Sequence, residues 1–579
     1  MPTVGEGQAS SLAELAEAYW DAYLQADPVQ GTAIGDGRYN DRLPDLSPDG
    51  RHFLARRFEG LRERVAAVRP DPADREAPLT HAALLAAIDS QLAILAADAP
   101  SCTVDAMNGP LATFMNIPSF QPLRQPPDGV AMLARWREMG PWLDELGEAL
   151  RRGLADGQSP VAGSVRSVLD EVDELLAQPT ASWPLLAPLE RQPAGWPDAE
   201  WRSFATDLQH AVEHEVRPAF ARYRAFLSDE VLSRSRDEDH VGICHLPGGL
   251  ERYTRLVRAH TTTDRTAEEL HGIGRAEVAR IDAEMSSLGA RVLGTASLDE
   301  TLVALRGDPS VHFASGEEIV EAAQRSLARA QDAIPAWFGR LPRTRCEVTR
   351  MLPHEERHTT IAYYREPSQD GSRPGHYYIN TYAPETRPRY EAEALAFHEA
   401  VPGHHLQVAI AQELDRLPAF RRHGETTAYV EGWALYTERL ADEMGLYSGD
   451  LDRIGMVSFD AWRACRLVVD TGMHALGWSR QQAIDFMEGH SALAPNNIAN
   501  EVDRYIGWPG QALAYKVGQL EILSLRREAE EEMGSGFDIR RFHDAVLGHG
   551  PLPLDALRES VAADLGLASA TDVLARSDP

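Results

Sequence analysis

The polarity pattern along the chain is that of a helical protein. Apolar residues recur at three-and-four spacing in HAALLAAIDSQLAILAADA (81–99) and GSVRSVLDEVDELLAQ (163–178), the pattern of a helix with one buried face. Ser11 and Glu14 read as a capping box opening the first helix. Proline-rich breaks at 119–127 and 180–198 separate helical blocks, and there is no internal repeat or long low-complexity tract. One region departs from the helical pattern. CEVTRML (346–352), TIAYYRE (360–366) and HYYINTY (376–382) are β-rich, the last two parted by the turn-rich PSQDGSRPG. A mainly α fold is therefore predicted, with a small sheet or hairpin in this region and helices resuming to the end. HLPGG (245–249) interrupts the helical pattern. It gives a soft boundary between an N-terminal helical lobe (1–245) and a catalytic lobe (246–579), which can pack as one unit.

Composition narrows the partners. At 579 residues the chain exceeds the roughly 250–300 at which single cores stop growing. Four cysteines, widely spaced and without a CxxC pair, argue against a disulfide framework or a cysteine zinc cage and suit a reducing compartment. The N-terminus lacks a basic segment followed by an apolar run. No apolar stretch is read as approaching the ~18 residues of a membrane span. The expected location is the cytoplasm, with no membrane partner. A net charge of −31 repels nucleic acid and anionic membrane. Of 57 basic residues all but one are Arg, and the exception is Lys516. Several signatures are missing: the segment at Gly489 and Ser491 lacks the last glycine of a nucleophile elbow, Gly272 and Gly274 follow no strand, and there is no P-loop.

The chemistry concentrates in HEAVPGHHLQ (398–407). A zinc peptidase helix reads H-E-x-x-H, with the second histidine four residues after the first. Here that position is Pro402, and histidines follow only at 404 and 405. Pro402 cannot donate to the carbonyl of His398, and its ring clashes there. In an unbroken helix His404 is turned by about 240° from His398, and His405 lies about 10.5 Å further along. Neither shares a metal with His398 unless the helix bends. Pro402-Gly403 permits that, since one residue breaks the hydrogen-bond ladder and the other tolerates unusual dihedrals. If two residues loop out, His404 occupies the usual i+4 place. A third ligand has a candidate in Glu431, within the amphipathic segment TTAYVEGWALYTERL (426–440). A carboxylate among Val430, Trp433, Ala434 and Leu435 is costly unless paired or metal-bound.

HEAVPGHHLQ, YVEGWALYTERL (429–440), RLVVDTGMHALGWSRQQAI (466–484) and RYIGWPGQALAYKVG (504–518) resemble the signature blocks of the domain-of-unknown-function 885 family. ADPVQGTAIGDGRYNDRLPDLS (26–47) and GGLERYTRLVRAHTTTDRTAEELHGIG (248–274) fit as well. That family is similar to gluzincin metallopeptidases of the thimet oligopeptidase, angiotensin-converting enzyme and Taq carboxypeptidase groups. The resemblance implies a large two-lobed helical fold with a deep channel, one zinc ion, and short peptides or peptide-like small molecules as substrates. Thimet-type cores read HEFGHALH, followed by an FVE-type glutamate. Aligning the Gly-His pairs makes His398, His404 and Glu431 the ligands, with His405 the alternative to His404. Glu399 becomes the general base on the hydrolytic water. Related peptidases draw an oxyanion donor from the C-terminal part, for which Tyr505, Tyr515 and His474 are candidates.

Four further residues are singled out. Arg466, Asp470 and His474 share one helix face at i, i+4 and i+8, so Asp470 either fixes the tautomer of His474 or belongs to a salt-bridge ladder. Glu438, seven after Glu431, suits an acceptor behind a ligand histidine. Lys516 reads as a buried pairing near the site or a trap for a substrate carboxylate. Asn380, in HYYINTY, is a candidate substrate contact if that strand pairs with an extended peptide. Three classes stay open: zinc amide hydrolysis; a different metal enzyme such as a non-haem iron oxygenase, which also uses two His and a carboxylate; and a non-catalytic binding protein or an enzyme repurposed for biosynthesis. The oligomeric state is not legible.

Overall fold

The computed structural model describes residues 11–71, 73–351, 356, 360–368, 373–424 and 426–568. Within them the fold is mainly α, with one small sheet. The predicted helices form at Glu76–Ala97 and Ala162–Ala177. The first helix, Leu12–Ala26, opens on the predicted capping box, with Ser11 accepting from the Glu14 amide and Glu14 from that of Ser11. The proline-rich breaks are short 3₁₀ turns, among them Ile117–Ser119, Thr180–Ser182 and Pro184–Glu190.

Two hydrophobic cores carry the structure. The smaller gathers Leu43 and Leu46 with residues from Val104 to Val231, around Trp136, Trp183 and Phe220. The larger takes Leu15 to Cys102 together with nearly everything after Val241. The cores are thus divided differently from the 1–245 and 246–579 partition. The chain starts in the larger core, leaves to build the smaller one, and returns. At the centre of the larger core runs Asp450–His474, in which every residue from Ile454 to His474 is buried. A helix buried on all faces must supply a partner for each polar side chain it carries.

One expectation is corrected. Residues Glu76–Cys102 form a segment long and apolar enough, by length and composition, to cross a membrane. In this fold Leu79, Ala83, Leu84 and Ile88 of that segment join the larger core.

The β-rich region forms a mixed three-stranded sheet: β1 (Cys346–Arg350), β2 (Ala362–Arg365) and β3 (Gly375–Ile379). β3 lies in the middle, parallel to β1 and antiparallel to β2. The turn between β2 and β3 lies partly outside the described residues. Strand addition on HYYINTY is therefore ruled out, because both edges of β3 are already paired.

Candidate metal centre

The motif is two helices rather than one. Ala392–Glu399 stops after Glu399, a turn covers 400–403, and His404–Gln412 resumes helical geometry. The Val401–Pro402 peptide is cis. The amide of His405 donates to the Ala400 carbonyl at 3.0 Å, and the Trp433 indole N–H donates to the Pro402 carbonyl at 3.0 Å. Gly403 has φ −76° and ψ −130°, neither helical nor extended. A Cβ there would stand 1.9 Å from the His398 carbonyl oxygen and 2.4 Å from that of Phe397. Close packing of the turn on the preceding helix end is what demands glycine.

This turn brings His404 back to His398. Their rings stand 4.8 Å apart, nearly perpendicular. Glu431 enters from the helix Thr427–Glu443, with Oε2 3.7 Å from His398 Nε2 and 3.5 Å from His404 Nε2. One donor atom from each of the three lies within 4.8 Å of the others. Glu431 Oε2 is buried and has no hydrogen-bond partner among the described residues. Zinc bonds of about 2.0–2.2 Å at tetrahedral angles separate ligand atoms by roughly 3.4 Å, so the residues fit such an ion. Burial alone would raise the Glu431 carboxyl, but the pull of the His398 and His404 imidazoles outweighs it and holds the group well below the usual carboxylate range. Burial likewise works against a charged His398, yet Glu431 and Glu438 push it up to about 9. The cluster favours positive charge at its centre.

Glu438 meets His398. Its Oε1 lies 2.8 Å from His398 Nδ1, which leaves Nε2 for the cluster. His405, the alternative ligand, is turned away. Its Nε2 meets the Thr344 carbonyl at 3.0 Å and its Nδ1 the Tyr364 hydroxyl at 3.1 Å, so both ring nitrogens are used. Glu399 is the one residue of its helix that is not buried.

The oxyanion candidates separate sharply. The Tyr515 ring lies near-parallel to that of His398, centroids 6.4 Å apart, and the Arg466 guanidinium sits 4.2 Å over it. Burial, and then the Glu431 charge, push its hydroxyl pKa up, so it remains a proton donor. Its position follows from a helix crossing. Gly432 and Gly518 touch so closely that a Cβ on Gly432 would meet the Gly518 backbone at 2.4 Å, which sets Tyr515 beside Glu431. The Tyr505 hydroxyl is instead consumed. It accepts from Trp462 at 2.9 Å and Arg466 at 2.8 Å, and donates to Glu501 at 2.7 Å. His474 is fully buried, with Nδ1 accepting from the Ile243 amide and Nε2 on the Tyr505 carbonyl. The expected Asp470–His474 pairing is corrected too. Asp470 accepts from the Tyr253 hydroxyl at 2.5 Å and from the Gly510 amide.

Lys516 is a buried pairing and not a substrate trap. It reaches Asp460 at 2.7 Å, Gln519 at 2.8 Å and Glu277 at 3.1 Å, and is 1% exposed. Asn380 braces its own loop, donating to the Glu356 and Thr360 carbonyls and accepting from the Tyr382 amide. Sequence reasoning missed Arg463 and Tyr377. Arg463 lies 3.7 Å from Glu438, with Nε and Nη1 lacking hydrogen-bond partners among the described residues. Tyr377, at the centre of β3, has a buried hydroxyl without a hydrogen-bond partner among the described residues, raised by burial and then by the Glu399 charge. Arg463 shares its helix with Arg466, and Tyr377 falls in the β-rich run; neither pattern by itself points to a site.

A family model described as "Bacterial protein of unknown function (DUF885)" matches residues 28–561. The chain belongs to the DUF885 family. Comparison with the curated proteins finds no match. Among solved structures, the chain is similar to the crystal structure of a "putative lipoprotein" from Colwellia psychrerythraea, at 26% identity and a TM-score of 0.89 over 96% of this chain and 100% of that one. A "putative lipoprotein of unknown function" from Shewanella oneidensis shares the fold at 17% identity, with a TM-score of 0.70 over 95% and 99%.

Proposed function

We propose that this DUF885 protein is a zinc-dependent hydrolase of amide bonds in short peptides or peptide-like small molecules. The observation that carries this reading is the convergence on one point of His398, His404 and a buried Glu431 oxygen that has no hydrogen-bond partner among the described residues, with the half-buried Glu399 next to His398 in the chain. Its likeness to the gluzincin pattern supports the same chemistry. Zinc held by these three residues would supply a Lewis acid and a water acidified towards pKa ~7. The chain's own residues do the rest. Glu399 takes the proton of the attacking water and passes it to the departing nitrogen. Glu438 fixes the His398 ring through Nδ1. Tyr515 donates its hydroxyl proton in a hydrogen bond to the oxygen on which negative charge develops.

Metal analysis with a mixed short-peptide library tests this reading. One zinc per chain and cleaved peptides are expected, with Glu399→Gln keeping the metal and losing roughly 10²–10⁴-fold in kcat. Stoichiometric iron with dioxygen consumption, or an unchanged kcat in Glu399→Gln, would overturn it.

A further inference from the structure

A cavity of about 610 Å³ is lined in part by the helix that carries His398, and none of the three cluster residues lines it. Ala106, packed on the smaller core, and Ile379 and Leu395, of the larger core, line it together with Ser167, Glu171 and Glu391. Glu391, Ala392 and Leu395 belong to the start of the His398 helix. At about 100° per residue, that face also carries His398 and Glu399, and Glu399 follows Leu395 by one turn. The cavity wall thus continues into the catalytic end of the same helix.

The acids of this cavity differ in what already holds them. Glu501 is paired with Arg466 and Arg504, Asp503 with Arg480, and Glu356 accepts from Thr381. Glu391 stands apart. It is 6% exposed, and its Oε1 has no hydrogen-bond partner among the described residues. Arg387, also on the wall, makes no ion pair with a described carboxylate, although its charge reaches Glu391. Glu391 lines the cavity and one of its buried oxygens has no donor of its own among the described residues, so the carboxylate is short of a cation. One orphan oxygen suits a compact ammonium better than a guanidinium, whose planar fork takes two acceptors side by side.

We infer that this cavity is a subsite of the hydrolytic site, and that it takes a primary ammonium group of the substrate with Glu391 as its counter-ion. The inference rests on the peptidase reading. Burial, only partly offset by Arg387 and Arg463, pushes the Glu391 carboxyl up to about 8. Burial, with Asp105 and Glu174 adding to it, pushes the neighbouring Glu171 up to about 7. Both are the behaviour of carboxylates short of a cation. The axial distance from Glu391 to Glu399 is about 12 Å, which extended peptide covers in about three to four residues. The ammonium is therefore either the N-terminus of a short peptide a few residues from the cleaved bond, or a lysine side chain nearer to it.

Four probes decide between these sources and against both: penta-alanine, its N-acetyl form, and N-acetyl peptides carrying one lysine or one norleucine. KM is measured with the zinc-loaded full-length protein, and calorimetric binding with the Glu399→Gln protein. Removing the recognised ammonium is expected to raise KM by at least about tenfold, the scale of one charge-assisted hydrogen bond. A penalty on acetylation identifies the N-terminus, and a penalty on replacing lysine by norleucine identifies the side chain. The preference is expected to vanish in Glu391→Gln. Equal KM for charged and neutral peptides, or a preference that survives in Glu391→Gln, overturns the subsite. The peptide comparison in the unaltered protein decides even if that variant does not fold. Ammonium-dependent binding without any turnover sinks the peptidase reading and keeps the subsite. Turnover without ammonium preference sinks the subsite alone.

Discussion

Two polar constellations in the larger core have opposite characters. Around residue 398, two imidazoles and a carboxylate converge, with one oxygen lacking a hydrogen-bond partner among the described residues. Along the helix Asp450–His474, Asp470 and His474 sit equally deep, but each takes its partners from a neighbouring segment. Burial pushes His474 down to about 4, so it stays neutral, and raises Asp470 to about 7. A perturbed titratable group therefore does not mark chemistry by itself. What separates the two constellations is whether hydrogen-bonding capacity is used up or left pointing at a shared, reachable point.

The largest test of that difference lies within the motif. His404→Ala is expected to abolish stoichiometric metal binding, whereas His405→Ala keeps the metal and loses stability by about 1–3 kcal/mol, because it frees the Thr344 and Tyr364 partners. Metal content and thermal melts read both. If His405→Ala loses the metal instead, the ligand set is wrong. The tyrosines give the next contrast. Tyr515→Phe should lower kcat by roughly 10²-fold with little change in melting, while Tyr505→Phe should cost about 1–3 kcal/mol in stability and leave kcat within a few-fold. Glu438→Gln should weaken zinc affinity by about 10–100-fold in a competition titration.

The last test concerns Glu391. Its carboxyl titrates near 8 in the folded protein against about 4.5 without burial. The folded state thus keeps a proton that the unfolded chain has released between those values. Stability is full below about 4.5 and falls as pH rises towards 8. Glu391→Gln removes this dependence, so its melting temperature should exceed that of the unaltered protein by a margin that grows from pH 5 to pH 8. The corresponding stability gain is about 1–4 kcal/mol at the upper end. A margin that is flat or shrinks with pH contradicts the buried, cation-short carboxylate.

Much of the site was legible because local chemistry is written locally. The proline-glycine insertion announced a broken helix, and an acid flanked by Val430, Trp433 and Leu435 announced a carboxylate with a buried purpose. Glu438 followed from helical period alone. The misreadings have one physical source. Arg466, Asp470 and His474 do recur at i, i+4 and i+8, but periodicity along one helix says nothing of what packs against it. Here that helix is buried on every side, so its polar groups are partnered by Tyr505, Glu501, Tyr253 and Gly510 from distant segments. HYYINTY was rightly read as a strand. Its place in the middle of the sheet depends on β1 and β2 arriving on either side.

The sequence by itself determined the helical character, the small sheet, the family, and the residues from which a metal centre can be built, because periodicity, turn chemistry and motif spacing are properties of short stretches. Only the tertiary structure decided that His404 rather than His405 meets Glu431, that the Tyr505 hydroxyl is taken up by Trp462, Arg466 and Glu501, and where Glu391 and its cavity lie. Those choices turn on which segments, far apart in the chain, come close enough to satisfy a polar group or leave it open.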